Sequence, residues 1–343
     1  MTKMDSSPIQ PHDILLAPMA EISHGGFRRL CDEFGGYDWY FTEMLSAAGV
    51  VSTSRYTSWY FDFGPYPEKT FVQLAGNNPE LFYRAAEKIL ATDIAGIDIN
   101  MGCSVHHIRS RGWGVELMNR PETALEIVQL LKPLTGSRPL SVKLRIGKEE
   151  NPEELLRFCN SLVEAGVSFI TLNPRTSKTN RNRPGDWKYV DLLRRELPVP
   201  VIGNGEISGR KSYLARQETA GGGPVMIGRG AVQKPWIAAA LKTAGLNPGP
   251  ATGNSPSILT EDGQVDLQAA IERFMVLLVA HQPEDFHVSR GRRFFFYFCD
   301  NFKFSHQVKM DIQNAPDLPT IRSLALGYLS RNPEERYKPL HQD

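Results

Sequence analysis

"TFVQLAGNNPELFYRAAEKILATDIAGIDINMG", from Thr70 to Gly102, decides the fold. Two short apolar runs, TFVQLAG (70–76) and GIDINMG (96–102), flank a stretch with helical spacing. Asn78 stands where an N-cap belongs and Pro79 at the first helical position, where a missing N–H costs nothing. Strand, helix and strand in that order make a crossover unit, which joins parallel neighbours. Working outward, the unit recurs. Upstream lie ILLAP (14–18) and YDWYFTEM (37–44); downstream lie LSVKLRIG (140–147), FITLNPRT (169–176), PVIGNGEI (200–207) and PVMIGRG (224–230). Helices start again at Pro121, after Asn119 or Arg120, and at Asn151-Pro152, the latter stopping at Gly166. Near-continuous apolar strands between helices mean a parallel sheet covered on both faces. Eight such units predict a closed (β/α)8 TIM barrel, with an open doubly wound sheet as the other arrangement. Residues 46–69 carry Tyr56, Trp59, Tyr60, Phe61 and Phe63 without a helical period and are expected to form a long loop at the active-site face.

The barrel is expected over 1–243. A linker is expected over 244–265, where GLNPGPATGNSPSI is rich in turn residues, and a small all-helical domain over 266–343. Of the 343 residues 41% are apolar and 22% charged, and the formal net charge is +1. That balance excludes a uniformly basic nucleic-acid binder, so any basic surface must be local. Four cysteines without C-x-x-C spacing suggest neither a zinc site nor a disulfide framework. The N-terminal MTKMDSSPIQPHD has no apolar segment, and no run is long enough to span a membrane. A reduced, cytoplasmic protein with no membrane partner is expected. Cys31, Cys159 and Cys299 fall in helical patterns and are expected in the core.

In a parallel barrel the C-terminal strand ends face the active site. Here those ends are Pro18-Met19 and then seven that turn polar or glycine-rich: Glu43, Gln73, Asn100 with Cys103 beyond it, Lys143 with Arg145, Asn173 with Arg175, Asn204-Gly205-Glu206, and Gly228-Arg229. The last two, in GNGEIS and IGRGAV, are either tight turns or a backbone nest for a phosphate. A lysine at a buried strand end needs an electron-rich partner: a flavin edge, or Glu43 or Glu206. Gln73 suits an amide edge of a flavin or uracil, or else a bond within the barrel. Cys103 reads as a buried small residue, a nucleophile with His106 or His107 as base, or a general acid.

Taken in order, LLAPM, TEML, FVQLAG, DINMGCS, SVKLRIG, PVIGNGEI and VMIGRGA resemble the tRNA-dihydrouridine synthases over residues 14–240. HVSRGRRFFFYF (287–298) is similar to the start of the C-terminal helices in the bacterial subfamily called dihydrouridine synthase C. The resemblance implies an FMN-containing barrel, NADPH as reductant, tRNA or another structured RNA as partner, and a monomer. It implies that hydride passes from the flavin to C6 of a uracil and that Cys103 protonates C5 from the opposite face. By the same likeness Gln73, Lys143, Pro18, Met19, Asn173 and Asn204 border the flavin ring, and Gly205, Glu206, Gly228 and Arg229 its phosphate. Asn100, Glu43, Arg145, Arg175, Arg290, Arg292 and Arg293 fall to the base and the RNA. Two basic segments support RNA affinity, with five Lys/Arg against one Asp in each of 173–188 and 286–310. The chain departs from the family pattern at Ser104, where proline is usual. It departs again at Asn173-Pro174, where His-Gly is usual, and at Trp113, where a small residue is usual. A flavin-dependent reductase of a small enone-like molecule, or an RNA-binding paralogue with lapsed chemistry, are the other readings.

Overall fold

The computed structural model describes residues 7–341 except 53, 65, 179–182 and 244–257. Eight strands form the barrel: β1 (Ile14–Leu16), β2 (Tyr40–Phe41), β3 (Thr70–Ala75), β4 (Gly96–Met101), β5 (Leu140–Arg145), β6 (Phe169–Asn173), β7 (Val201–Asn204) and β8 (Val225–Ile227). All pair in parallel with their sequence neighbours, and β8 returns to β1 with Leu15 opposite Met226. The circle closes where Leu15 bridges Trp39, just before β2. That closure selects the barrel over the open sheet, and a two-residue strand, Leu45–Ser46, adds to β3.

Side-chain alternation divides each strand between two cores. Leu15, Phe41, Phe71, Phe169, Ile202 and Met226 form one cluster inside the barrel, capped by Ile9. Phe71 stacks on Phe41 at 5.0 Å between centroids and meets Phe169 edge-on at 5.2 Å. The alternate residues, such as Val72, Ile97, Val142 and Leu172, face the helices in the larger core. Helix starts follow the caps in the sequence: Asn78 accepts from Leu81 N–H at 3.0 Å and Asn151 from Glu154 N–H at 3.1 Å. Gly203 leaves room for Trp187, whose ring lies 2.2 Å from where a Cβ would be.

Residues 46–69 differ from the expected loop. They form two short helices, Ala47–Val51 and Thr57–Tyr60, and a 3-10 turn, Pro67–Lys69. Elements of four or five residues are too short to display a period. The expected linker lies outside the described residues as far as 257. Beyond it a two-stranded ribbon, Gln264–Asp266 with Tyr337–Pro339, accompanies four helices: Leu267–His281, Glu284–Phe298, Ser305–Asn314 and Leu318–Arg331. Phe294 stacks on Phe274 at 3.7 Å and on Phe298 at 4.9 Å. The first of these helices lies against the barrel helix Gly25–Phe34, where a Cβ on Gly26 would stand 2.6 Å from the Leu277 carbonyl oxygen. Cys31, Cys159 and Cys299 are buried, and burial pushes the thiols of Cys159 and Cys299 up to about 12. Among the described residues no helix is long and apolar enough to cross a membrane.

Candidate active site

Above the apolar layer the barrel interior becomes polar, and its side chains bond to one another in a line. Ser141 Oγ donates to Asp98 Oδ1 at 2.6 Å, and Gln73 Nε2 donates to Asp98 Oδ2 at 2.7 Å. Asn100 Nδ2 donates to Gln73 Oε1 at 2.8 Å. Asn100 Oδ1 then accepts the backbone N–H of Cys103 at 3.0 Å and of Gly102 at 3.3 Å. Register explains the line: Gln73 sits opposite Asp98, and Asp98 opposite Ser141, with Asn100 one inward position further along β4. Burial raises the Asp98 carboxyl to about 6, against the pull of its bonds to Gln73 and Ser141. Each acceptor fixes the next amide's orientation, so the turn carrying Cys103 is set from deep inside the barrel.

Lys143 lies opposite Asn100 and beside Thr171 at the same rim. Its ammonium donates to Asn204 Oδ1 at 2.8 Å, and Asn204 Nδ2 is spent on the Met226 carbonyl at 2.8 Å. Neither carboxylate considered for it takes that place: Glu43 pairs with Arg290, and Glu206 with Arg175 and Arg216. Burial lowers the Lys143 amine to about 8, Arg145 adds to the shift, and Asp98 and the Cys103 sulfur oppose it. Two of its three N–H groups have no acceptor among the described residues. Nearby, Thr171 Oγ1 and Asn173 Oδ1 are buried without a hydrogen-bond partner.

The ends of β7 and β8 form a positively charged corner. Glu206 holds a left-handed backbone, φ 58°, after Gly205 at φ 138°. Its side chain fixes the conformation: Oε1 accepts Gly185 N–H at 2.7 Å and pairs with Arg175, while Oε2 faces Arg216 at 3.0 Å. Arg229 adds a third guanidinium whose field, with that of Arg216, opposes protonation of buried Arg175. Space within 4 Å of the Cβ position of Gly205 is open. Met19 sulfur lies 3.6 Å from the Cβ position of Gly228, bringing the ends of β1 and β8 together beside Pro18.

Cys103 is half-buried at the mouth. Its carbonyl accepts Val115 N–H at 3.0 Å, and Arg145 Nε donates to the Gly102 carbonyl at 2.9 Å. His106 and His107 are exposed on the short helix His106–Arg109.

The profile of the dihydrouridine synthase family matches residues 15–311. This chain belongs to the dihydrouridine synthase family. A probable tRNA-dihydrouridine synthase of Aquifex aeolicus is 34% identical over 232 residues, 66% of this chain and 71% of that protein. A tRNA-dihydrouridine(16) synthase of Neisseria meningitidis serogroup B is 28% identical over 247 residues, 70% and 74% of the two chains. A Cryptococcus neoformans tRNA-dihydrouridine(47) synthase [NAD(P)(+)] is 32% identical over 66% of this chain but only 33% of its own length. Among solved structures a 2-naphthoyl-CoA reductase superposes with a TM-score of 0.52 at 12% identity, over 71% of this chain and 53% of that one, a likeness of fold.

Within this chain the arginines expected at the RNA are distributed unevenly. Arg290 is buried against Glu43 at 2.8 Å, and Glu43 also accepts Glu21 N–H at 2.7 Å. Arg293 pairs with Glu21 at 3.0 Å, Arg292 donates to the Ala315 carbonyl at 2.5 Å, and Arg181 lies outside the described residues. The structure therefore brings Gln73, Asn100 and Cys103 into one bonded line and Lys143 and Asn204 into a separate pair at the same rim, and spends much of the second basic segment on internal partners. Sequence reading missed Asp98, Ser141 and Arg216. An aspartate inside an apolar strand, two residues before Asn100 and so on its face, was the available signal.

Proposed function

We infer that this protein reduces a uridine of tRNA to 5,6-dihydrouridine, with FMN bound at the barrel mouth, NADPH as reductant and Cys103 as the acid. The observation that carries the reading is the placement of the Cys103 turn, gripped by Asn100 at the rim that also holds half-buried Lys143. The residues fit a flavin. Lys143 has N–H groups to spend on a ring edge that gains negative charge, and Thr171 and Asn173 hold buried polar atoms without partners. Arg175, Arg216 and Arg229 stand against one carboxylate, Glu206, which leaves a surplus of about two positive charges for a phosphate.

When bound, the flavin supplies the hydride that adds to C6 of the uracil. The protein supplies the rest. Asn100 and the buried line behind it hold the thiol's turn, and the Cys103 sulfhydryl gives its proton to C5 as the C5=C6 double bond is lost. The thiolate recovers a proton from solvent through the half-open mouth. A uridine reaches this depth only after leaving its stack, as base-modifying enzymes require. The named relatives are tRNA-dihydrouridine synthases, which supports tRNA as the substrate class.

The test is Cys103→Ala in FMN-loaded protein acting on tRNA transcripts without dihydrouridine. Flavin content should stay the same while turnover falls by roughly 10²- to 10⁴-fold, the usual worth of a positioned acid. An unchanged dihydrouridine yield would refute the acid role, and protein that takes up no flavin would refute the reading as a whole.

A further inference from the structure

Trp113 is a large aromatic side chain with no evident structural task. It belongs to neither hydrophobic core, is half-buried, and its indole N–H has no hydrogen-bond partner among the described residues. Its backbone, by contrast, is held tightly. Gly112 and Gly114 on either side have φ of 73° and 62°. Trp113 N–H donates to the Ile108 carbonyl at 3.2 Å, and Asn77 Nδ2 to the Arg111 carbonyl at 3.1 Å.

The backbone beside the ring is also next to the thiol's turn. A Cβ on Gly114, the residue after Trp113, would stand 3.0 Å from Cys103 Cβ. The exposed Arg111 guanidinium lies over the indole at 5.2 Å and has no carboxylate partner among the described residues. A fixed aromatic face with a free cation beside it is the chemistry that receives an unstacked nucleotide: the ring takes the base and the guanidinium the phosphate.

We propose that Trp113 is a positioning residue that stacks on the base next to the reduced uridine, with Arg111 on that nucleotide's phosphate. The inference rests on the tRNA reading given above. Extruding the uridine strips its neighbour of a stacking partner, and the indole replaces it. The stack holds the RNA backbone while the uracil occupies the mouth, so it acts on binding and not on the proton transfer itself.

FMN-loaded wild type, Trp113→Leu and Trp113→Phe are compared for tRNA affinity by fluorescence anisotropy, for flavin content, and for KM and kcat. Leucine keeps an apolar side chain without a π-face; phenylalanine keeps the face. The leucine variant should weaken both Kd and KM by roughly 5- to 150-fold, with kcat and flavin content unchanged. The phenylalanine variant should recover most of the loss. A leucine variant that binds tRNA like wild type overturns the proposal, as does one that loses flavin, since the ring would then cover the cofactor. Binding requires no turnover. Wild-type protein that binds tRNA without reducing it would defeat the reductase reading while the Leu-to-Phe contrast still decides the stacking role. Wild-type protein that binds no tRNA overturns both.

Discussion

A half-buried ammonium that lacks a carboxylate is the residue-scale signature of this site, and it makes stability depend on pH in a definite direction. The Lys143 amine titrates at about 8 in the fold against an ordinary 10.5. Below pH 8 both folded and unfolded chains carry its proton, and the cost of burying the charge is felt in full. Between pH 8 and 10.5 the folded chain releases the proton while the unfolded chain keeps it, so stability rises with pH, by up to about 3 kcal/mol. Urea unfolding of flavin-free protein at pH 7.5 and 9.5 should show this rise in wild type and lose it in Lys143→Met. An identical pH response in the variant would mean that Lys143 is solvated. Most of the polar residues singled out from sequence share one property with Lys143: they lie near the end of an apolar run, whereas Gln73 sits in register with Asp98. Asp98 and Ser141 sit one layer deeper, inside their strands, and an inspection of strand ends passes them by. Their role follows from register, with Gln73 opposite Asp98 and Asp98 opposite Ser141, which no single strand reveals.

At the scale of elements, all eight strands were legible because burial on both faces imposes continuous apolar runs, and helix starts because Asn-Pro caps are local chemistry. The short helices after β2 were not, since four residues carry no period. The turn after β4 joins both kinds of information. Its sequence shows glycines at 112 and 114, but only packing shows that Gly114, at φ 62°, abuts the carbonyl of Cys103, with 2.5 Å from its Cβ position to that oxygen. Gly114→Ala must therefore push the Cys103 turn outward. Displacing a reacting group by about 1 Å costs on the order of 10²-fold in rate. Turnover should fall by about that factor, while FMN affinity, which the proposed function assigns to Lys143 and the β7–β8 corner, stays within a few-fold. Equal loss of flavin and activity would show that the turn supports the cofactor site and not only the thiol.

Across the whole molecule, the sequence displays charges without their partners, and the second basic segment shows the consequence. Of its five cations, Arg290 is consumed by Glu43, Arg293 by Glu21 and Lys309 by Asp300. The first two tie the helix Glu284–Phe298 to loops at the barrel mouth, the buried Arg290–Glu43 pair most firmly, and Phe27 meets Phe294 at 6.2 Å across the same junction. A buried pair behaves differently from a free cation. Arg290→Met strands the Glu43 carboxylate and should cost about 3–5 kcal/mol, and pairing it with Glu43→Gln should recover most of that. RNA binding gives the second readout. A cation that meets a phosphate releases counterions and steepens the salt dependence of log K, by about 0.7–0.9 per contact. Arg290 is already neutralised, so the Glu43→Gln/Arg290→Met protein should bind tRNA with an unchanged salt slope. A slope shallower by about one contact would place Arg290 on the RNA backbone and mean that the Glu43 pair opens when tRNA docks.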